Sequence, residues 1–297
     1  MSTQAAHSPG VTTAIGRTAL LTAAARAIET HRPDALARDP YAEHFVQAEP
    51  GCADWPAHPA RVDPDDPLWG RLAGYFALRT RILDEHLLAA PRSGIRQVVL
   101  LGAGLDSRAH RLEWPAGTTV WELDRPEVLA FKQRVLDGLG AEPAARRRTV
   151  ATDLREDWPA ALSAAGHDRA QPTAWLAEGL LLYLPGAAEQ RLIAAVDTLS
   201  APGSTLAYEV KLAIESTAVR SGTTYRAARE RIGIDLLTLF APGPRPDTAT
   251  DLEQRRWHVT VTTPFDHLPD HPRAPRPVHD DPLAANRWTF ATKRPSR

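Results

Sequence analysis

Apolar residues along this chain fall into two rhythms, short unbroken runs and runs spaced three or four apart, and their alternation predicts its architecture. A β-rich run over residues 97–101 predicts a first strand, and similar runs predict strands at 118–123, 148–152, 173–177 and 205–210. Helical spacing separates them. An alanine-rich helix is expected over 14–29, capped by Thr12 or Thr13, and Leu68, Leu72, Phe76, Leu83 and Leu87 mark one running to about residue 90. Pro126 suits a helical first turn, Val128, Phe131, Val135 and Leu136 supply its apolar face, and Gly138 and Gly140 end it. A short helix ends near Gly166 and another spans 187–199. Residues 257–263 and 288–293 read as late strands with no room for an ordinary crossover helix, so they are expected to pair antiparallel at the sheet edge. Five β-α units predict an α/β fold with a doubly wound, mostly parallel seven-stranded sheet, binding ligands at the strands' carboxyl ends. Residues 1–90 are expected to form an N-terminal helical lid region and 91–297 the sheet domain; residues 1–10 read as disordered, and the five prolines of 50–67 as an irregular loop.

The first strand ends in Gly102-Ala103-Gly104-Leu105-Asp106-Ser107-Arg108. Two glycines at that turn let backbone approach a bound nucleoside. About twenty residues on, the second strand delivers Asp124, the spacing expected of a ribose hydroxyl partner. The third glycine of a dinucleotide fingerprint is replaced by Ser107, and Asp106 puts negative charge where a pyrophosphate would sit. NAD is therefore disfavoured. S-adenosylmethionine, with an adenosine half, no phosphate and a positive sulfonium, meets no such repulsion.

Composition narrows the classes further. Lys and Arg number 35 against 36 Asp and Glu, so there is no basic field for a nucleic-acid partner. With 43% apolar residues the chain can bury a sizeable core. A single cysteine, Cys52, excludes an internal disulfide, and neither a secretion signal nor an 18-residue apolar run is present, which makes the cytoplasm the expected compartment and a membrane association unexpected.

Four strand ends now carry Gly102-x-Gly104-Leu105-Asp106-Ser107-Arg108, Glu122-Leu123-Asp124-x-Pro126, Asp153-Leu154-Arg155 and Glu178-Gly179-Leu180-Leu181-Leu182-Tyr183. This ordered set resembles the leucine carboxyl methyltransferase family, in particular its actinobacterial branch of class I S-adenosylmethionine-dependent methyltransferases, which includes polyketide carboxyl O-methyltransferases. The resemblance implies a Rossmann-like fold and S-adenosylmethionine as cofactor. It implies that Gly102 and Gly104 lie against the methionine and ribose, that Asp124 holds the ribose hydroxyls, and that Asp153 and Leu154 meet the adenine amine and face. Glu178 would take the cofactor's amino group and Arg79 its carboxylate. The alternative for Asp124 and Asp153 is an ordinary helix N-cap, and for Arg79 a solvated helix face. Arg17 and Thr18 fall where the family has a lid, or in a plain packing helix.

A carboxylate acceptor, with a pKa of roughly 4, is already ionised at neutral pH, whereas a phenol near 10 is ionised in only about one molecule in a thousand. No base stands at a strand end; His110 and His258 read as packing residues. That favours O-methylation of a small-molecule acid of natural-product type, with a phenolic hydroxyl or non-catalytic binding as alternatives. Tyr183, Tyr208 and Glu209 are candidate acceptor-pocket residues, Tyr183 and Tyr208 as the catalytic pair, with Arg17 or Lys211 attracting the acid. The polar stretch 264–286 either borders the substrate mouth or is loose. Its His267, Asp270, His271, His279 and Asp280 are irregularly spaced, so no metal is expected.

Overall fold

A computed structural model describes residues 14–295 apart from 64, 212–215 and 272. The expected Thr12 or Thr13 cap and the expected disorder of residues 1–10 lie outside the described residues. In chain order the helices and strands are α1 (Ala14–Thr30), α2 (Ala42–Gln47), α3 (Ala73–Arg92), β1 (Gln97–Leu101), α4 (Arg108–Arg111), β2 (Thr119–Asp124), α5 (Pro126–Gly138) and β3 (Arg146–Ala151). They continue with α6 (Trp158–Ala164), β4 (Thr173–Ala177), α7 (Gly186–Thr198), β5 (Thr205–Lys211), α8 (Thr217–Arg220), α9 (Thr223–Ile232), α10 (Leu236–Leu239), α11 (Thr248–Gln254), β6 (Trp257–Thr262) and β7 (Asn286–Lys293). The strands form one seven-stranded sheet in the order β3-β2-β1-β4-β5-β7-β6. The first five are parallel, and β7 runs antiparallel to both β5 and β6. Of the two late strands, the last in sequence inserts between β5 and β6, so β6 forms the edge.

Strand alternation sorts side chains onto two faces. Val99, Leu101, Trp121, Leu123, Trp175 and Tyr208 pack with α6, α7 and α11 through Trp158, Leu192, Val196 and Leu252. Val98, Leu100, Val120, Ala174, Leu176 and Ala207 face the other way, onto Leu83 and Leu87 of α3. A third cluster joins α1, α2 and α9 around Phe45, Trp55, Trp69 and Tyr225. Ala23, Ala24 and Ala25 are buried there, so the small residues of α1 are used for close helix packing.

The helix expected from Leu68 begins differently. Asp66 Oδ1 accepts from the backbone N–H of Leu68 (2.9 Å) and Trp69 (2.8 Å), capping a π-helical turn, Pro67–Leu72, that runs into α3. The loop over 50–67 holds short 3₁₀ turns at Pro50–Cys52 and Pro59–Arg61. The 264–286 excursion is anchored: Ala274 and Leu283 are buried with Tyr75 and Trp288, and Arg273 pairs with Glu29 at 2.8 Å. Trp175, fully buried on β4 between Trp158 and His167, tests this packing. Trp175→Ala is expected to lose about 3–5 kcal/mol in equilibrium urea unfolding; a loss under about 1 kcal/mol would contradict the two-sided burial of β4.

Candidate active site

The carboxyl ends of β1, β2, β4 and β5 open into a cavity of about 370 Å³. The glycine turn forms its floor. Gly102 and Gly104 adopt φ of 64° and 45°, a region that favours glycine. A Cβ at Gly102 would come within 3.0 Å of Leu180 Cδ1, and one at Gly104 within 3.7 Å of Ala19 Cβ on α1. The turn is stapled to β2, where Asp124 Oδ2 accepts from Gly104 N–H (2.6 Å) and Leu123 O from Ala103 N–H (2.9 Å). Asp124 Oδ1 accepts from Arg125 N–H at 2.7 Å. Burial raises the Asp124 carboxyl above the usual range, opposed by these donors and by the Lys132 charge.

Beside the turn lies a buried ionic network. Arg79 on α3 gives Nε to Glu178 Oε1 (2.9 Å) and a second nitrogen to Glu209 Oε2 (2.6 Å). Arg108 meets Glu178 at 2.6 Å, Asp84 at 2.6 Å and Asp106 at 2.5 Å, and Arg111 clasps Asp84 with both terminal nitrogens (2.6 and 2.7 Å). Although burial opposes its charge, Arg108 and Arg79 hold Glu178 down at about 2. Burial pushes the Glu209 carboxyl up to about 7, yet Arg79 and the Tyr75 hydroxyl donate to its two oxygens. Donors on both oxygens favour the ionised carboxylate of Glu209 against that burial.

Every expected cofactor residue lines this cavity: Arg79, Gly102, Gly104, Asp124, Asp153, Leu154 and Glu178. Asp153 is clasped by Arg155 (2.5 to 3.1 Å), which lowers its carboxyl below the usual range. Asp124 caps nothing through its side chain except the Arg125 N–H, and α5 starts with no side-chain cap at Arg125.

The far half of the cavity is apolar, bounded by Leu72, Phe76, Leu182, Tyr225, Leu236 and Phe240. Tyr183 stands there, its ring 6.2 Å from Phe240. Lys211 also lines it, giving its ammonium to Tyr225 Oη and Pro282 O, both at 2.9 Å. Tyr225, Leu236 and Phe240 belong to the stretch between β5 and β6, where no apolar spacing or motif in the sequence predicts an element or a role. The only usable signal was the apolar and aromatic content of 225–240. Pro282, Leu283 and Asn286 bring the end of the 264–286 excursion to the same wall, so it borders the mouth.

Two expectations are corrected. Tyr208 is not a lining residue: alternation along β5 turns it to the α7 and α11 face, where its hydroxyl meets Thr248 Oγ1 at 2.9 Å, while its neighbour Glu209 faces α3. Of the expected tyrosine pair, only Tyr183 lines the cavity. Arg17 likewise leaves the cavity, donating to Ile232 O at 2.6 Å over the Trp55 ring. His110 packs edge-on to Tyr41, and burial pushes it down to about 4. Among the described residues no histidine lines the cavity, and no three His, Cys, Asp or Glu side chains converge as a metal site. His267 stacks against Trp288 instead.

A family model described as leucine carboxyl methyltransferase matches residues 19–197. The chain belongs to that family. A Streptomyces coelicolor protein provisionally named an S-adenosyl-L-methionine-dependent methyltransferase is 58% identical over 96% of this chain and 95% of its own length. A Mycobacteroides abscessus protein with the same provisional name is 47% identical, covering 94% of each. The solved structure of a Thermobifida fusca protein, provisionally titled a methyltransferase, shares the fold, with a TM-score of 0.54, 19% identity and coverage of 96% and 98%. This family member is an S-adenosylmethionine-dependent methyltransferase with the class I α/β fold. Among the described residues no helix is long and apolar enough to cross a membrane.

The network sets an acid limit on the enzyme. The Glu178 carboxyl lies at about 2 in the folded protein, below its ordinary 4.5. Its stabilisation is therefore complete above about pH 4.5 and is lost as pH falls toward 2, a change on the order of 3 kcal/mol. Glu178→Gln should flatten the acid limb of a stability-versus-pH curve measured by denaturant titration. An unchanged limb would show that Glu178 is not held charged by Arg79 and Arg108.

Proposed function

We propose that this methyltransferase transfers a methyl group to a carboxylate oxygen of a small organic acid of natural-product type. The observation that carries the reading is Lys211, an ammonium in the wall of the apolar half of the cavity, across from the aspartates of the glycine-turn half. S-adenosylmethionine supplies, when bound, a methyl on a sulfonium, open to in-line attack by an oxygen about 3 Å away. The cavity fits such a group: two glycines leave room for backbone approach, and the carboxylates of Asp106, Asp124, Asp153 and Glu178 are among its lining residues. Gly102 and Gly104 would admit the methionine and ribose, Asp124 would accept the ribose hydroxyls, and Asp153 and Leu154 would meet adenine. Glu178 and Arg79 would hold the amino and carboxylate ends of the methionine.

On the acceptor side, Lys211 would attract the acid and Tyr183 would close on it. A carboxylate arrives ionised, so the site needs no base; a phenol would carry a deficit of about 4 kcal/mol at neutral pH. Among the described residues the cavity offers no histidine, and its Glu209 is occupied by Arg79 and Tyr75. Thr18 and Ala19 of α1 line the cofactor half, which supports reading the segment before residue 91 as a cover over the bound cofactor.

Two measurements test the assignment. Asp124→Ala and Asp153→Ala should each weaken S-adenosylhomocysteine binding by about 1–3 kcal/mol in calorimetry, the scale of a lost charged hydrogen bond, with folding retained. If methyl-labelled cofactor is used with a panel of acids and phenols, mild alkali should release the transferred label as methanol. Label that survives complete ester hydrolysis would overturn the carboxylate acceptor and leave the methyltransferase class standing.

A further inference from the structure

Beneath the ribose-facing end of β2 lies a second group of buried charges that the proposed chemistry does not use. Glu122 and Asp124 share a face of β2, two residues apart. Glu122 and Lys132 are both fully buried, and Lys132 Nζ meets Glu122 Oε2 at 2.9 Å. Arg147 on β3 reaches the same oxygen at 2.8 Å. Two cations on one carboxylate leave one net positive charge in a buried corner. Arg147 alone would neutralise Glu122, so folding by itself does not call for the second cation. Glu122 Oε1, Arg147 Nε and His110 Nδ1 have no hydrogen-bond partner, so the corner is not arranged to satisfy its own polar groups.

We propose that Lys132 is a positioning residue of the cofactor site: buried on Glu122 beneath Asp124, its ammonium keeps Asp124 a carboxylate able to accept both ribose hydroxyls. The inference rests on assigning Asp124 to the ribose. Asp124 is half-buried and meets two backbone N–H groups, and the Lys132 charge pulls its carboxyl down against the desolvation that raises it. Other charges face this corner from each neighbouring element. Arg125 heads α5 and pairs with Glu127, and Asp106 lies in the glycine turn. Asp153, at the end of β3, is held charged by Arg155, and His110 on α4 is neutral above about pH 5 because burial puts it at about 4. Glu209 stands three strands away, about 14 Å by strand spacing.

The test is S-adenosylhomocysteine affinity by calorimetry across pH, on the full chain. Binding should weaken as pH falls and Asp124 takes up a proton. Lys132→Met removes the positive charge and should move that fall to higher pH by about one unit, taking a separation of about 7 Å along the strand. Glu122→Gln leaves the corner more positive and should move it to lower pH by a similar amount. The double variant should return close to the unmodified profile. A residue that only packs would change stability without opposite shifts, so equal or same-direction profiles overturn the proposal. Should Lys132→Met fail to fold, Glu122→Gln decides alone: a shift to lower pH supports the proposal, and none or the reverse overturns it. Asp124→Asn separates the two readings. If it leaves affinity unchanged, the ribose assignment fails; if it weakens binding while the charge variants leave the profile in place, only the role of Lys132 fails.

Discussion

The cavity depends on one buried ionic network. Arg79, Arg108 and Arg111 face Asp84, Asp106, Glu178 and Glu209, three guanidinium groups against four carboxylates, from α3, the glycine turn with α4, and the ends of β4 and β5. Desolvating so many charges is costly, and pairing recovers that cost only where geometry is good and the other donors are engaged. Here each arginine meets at least one carboxylate at 2.5 to 2.9 Å. The network is therefore weak evidence of extra stability and strong evidence of placement. It locks α3 to the sheet at the point where ligands bind and leaves one surplus negative charge there. S-adenosylmethionine, with a sulfonium, an ammonium and one carboxylate, carries the complementary single positive charge.

The two halves of the cavity have different physical origins. The cofactor half is built from the tight turns that follow parallel strands, where backbone conformation is dictated by glycine and held by strand-end carboxylates. The apolar half, proposed to hold the acceptor, is assembled from pieces far apart in the chain: Phe76 on α3, Tyr183 after β4, Lys211 at the end of β5, Tyr225 and Phe240 beyond it, and Pro282 before β7. Arg245 ties two of them together, reaching Leu181 O and Leu184 O at 2.8 and 2.7 Å while pairing with Glu189. An apolar chamber closed by such distant segments can change its acceptor through loop substitutions while the cofactor turns stay fixed.

The sequence by itself determined the parallel half of the sheet and the cofactor turns. Both are local: apolar runs, glycines and carboxylates act within a few residues of one another, and β4 and α5 begin and end where their patterns predict. The same locality made Asp124 legible, and the family resemblance supplied Asp153 and Glu178; all three line the cavity because a residue at the carboxyl end of a parallel strand has little choice of where to point. Tertiary structure alone decided the rest. Tyr208 and Glu209 are neighbours of similar promise in the sequence, but the two-residue alternation of β5 and the docking of α3 on one face sent the carboxylate to the cavity and the phenol to the core. Arg17 looked available for an acid until α9 offered Ile232 O some 215 residues away. The positive corner under Asp124 was unreadable for the same reason. Glu122, Lys132 and Arg147 lie on three elements, and only the β2-β3 register and the packing of α5 bring their charges onto one oxygen.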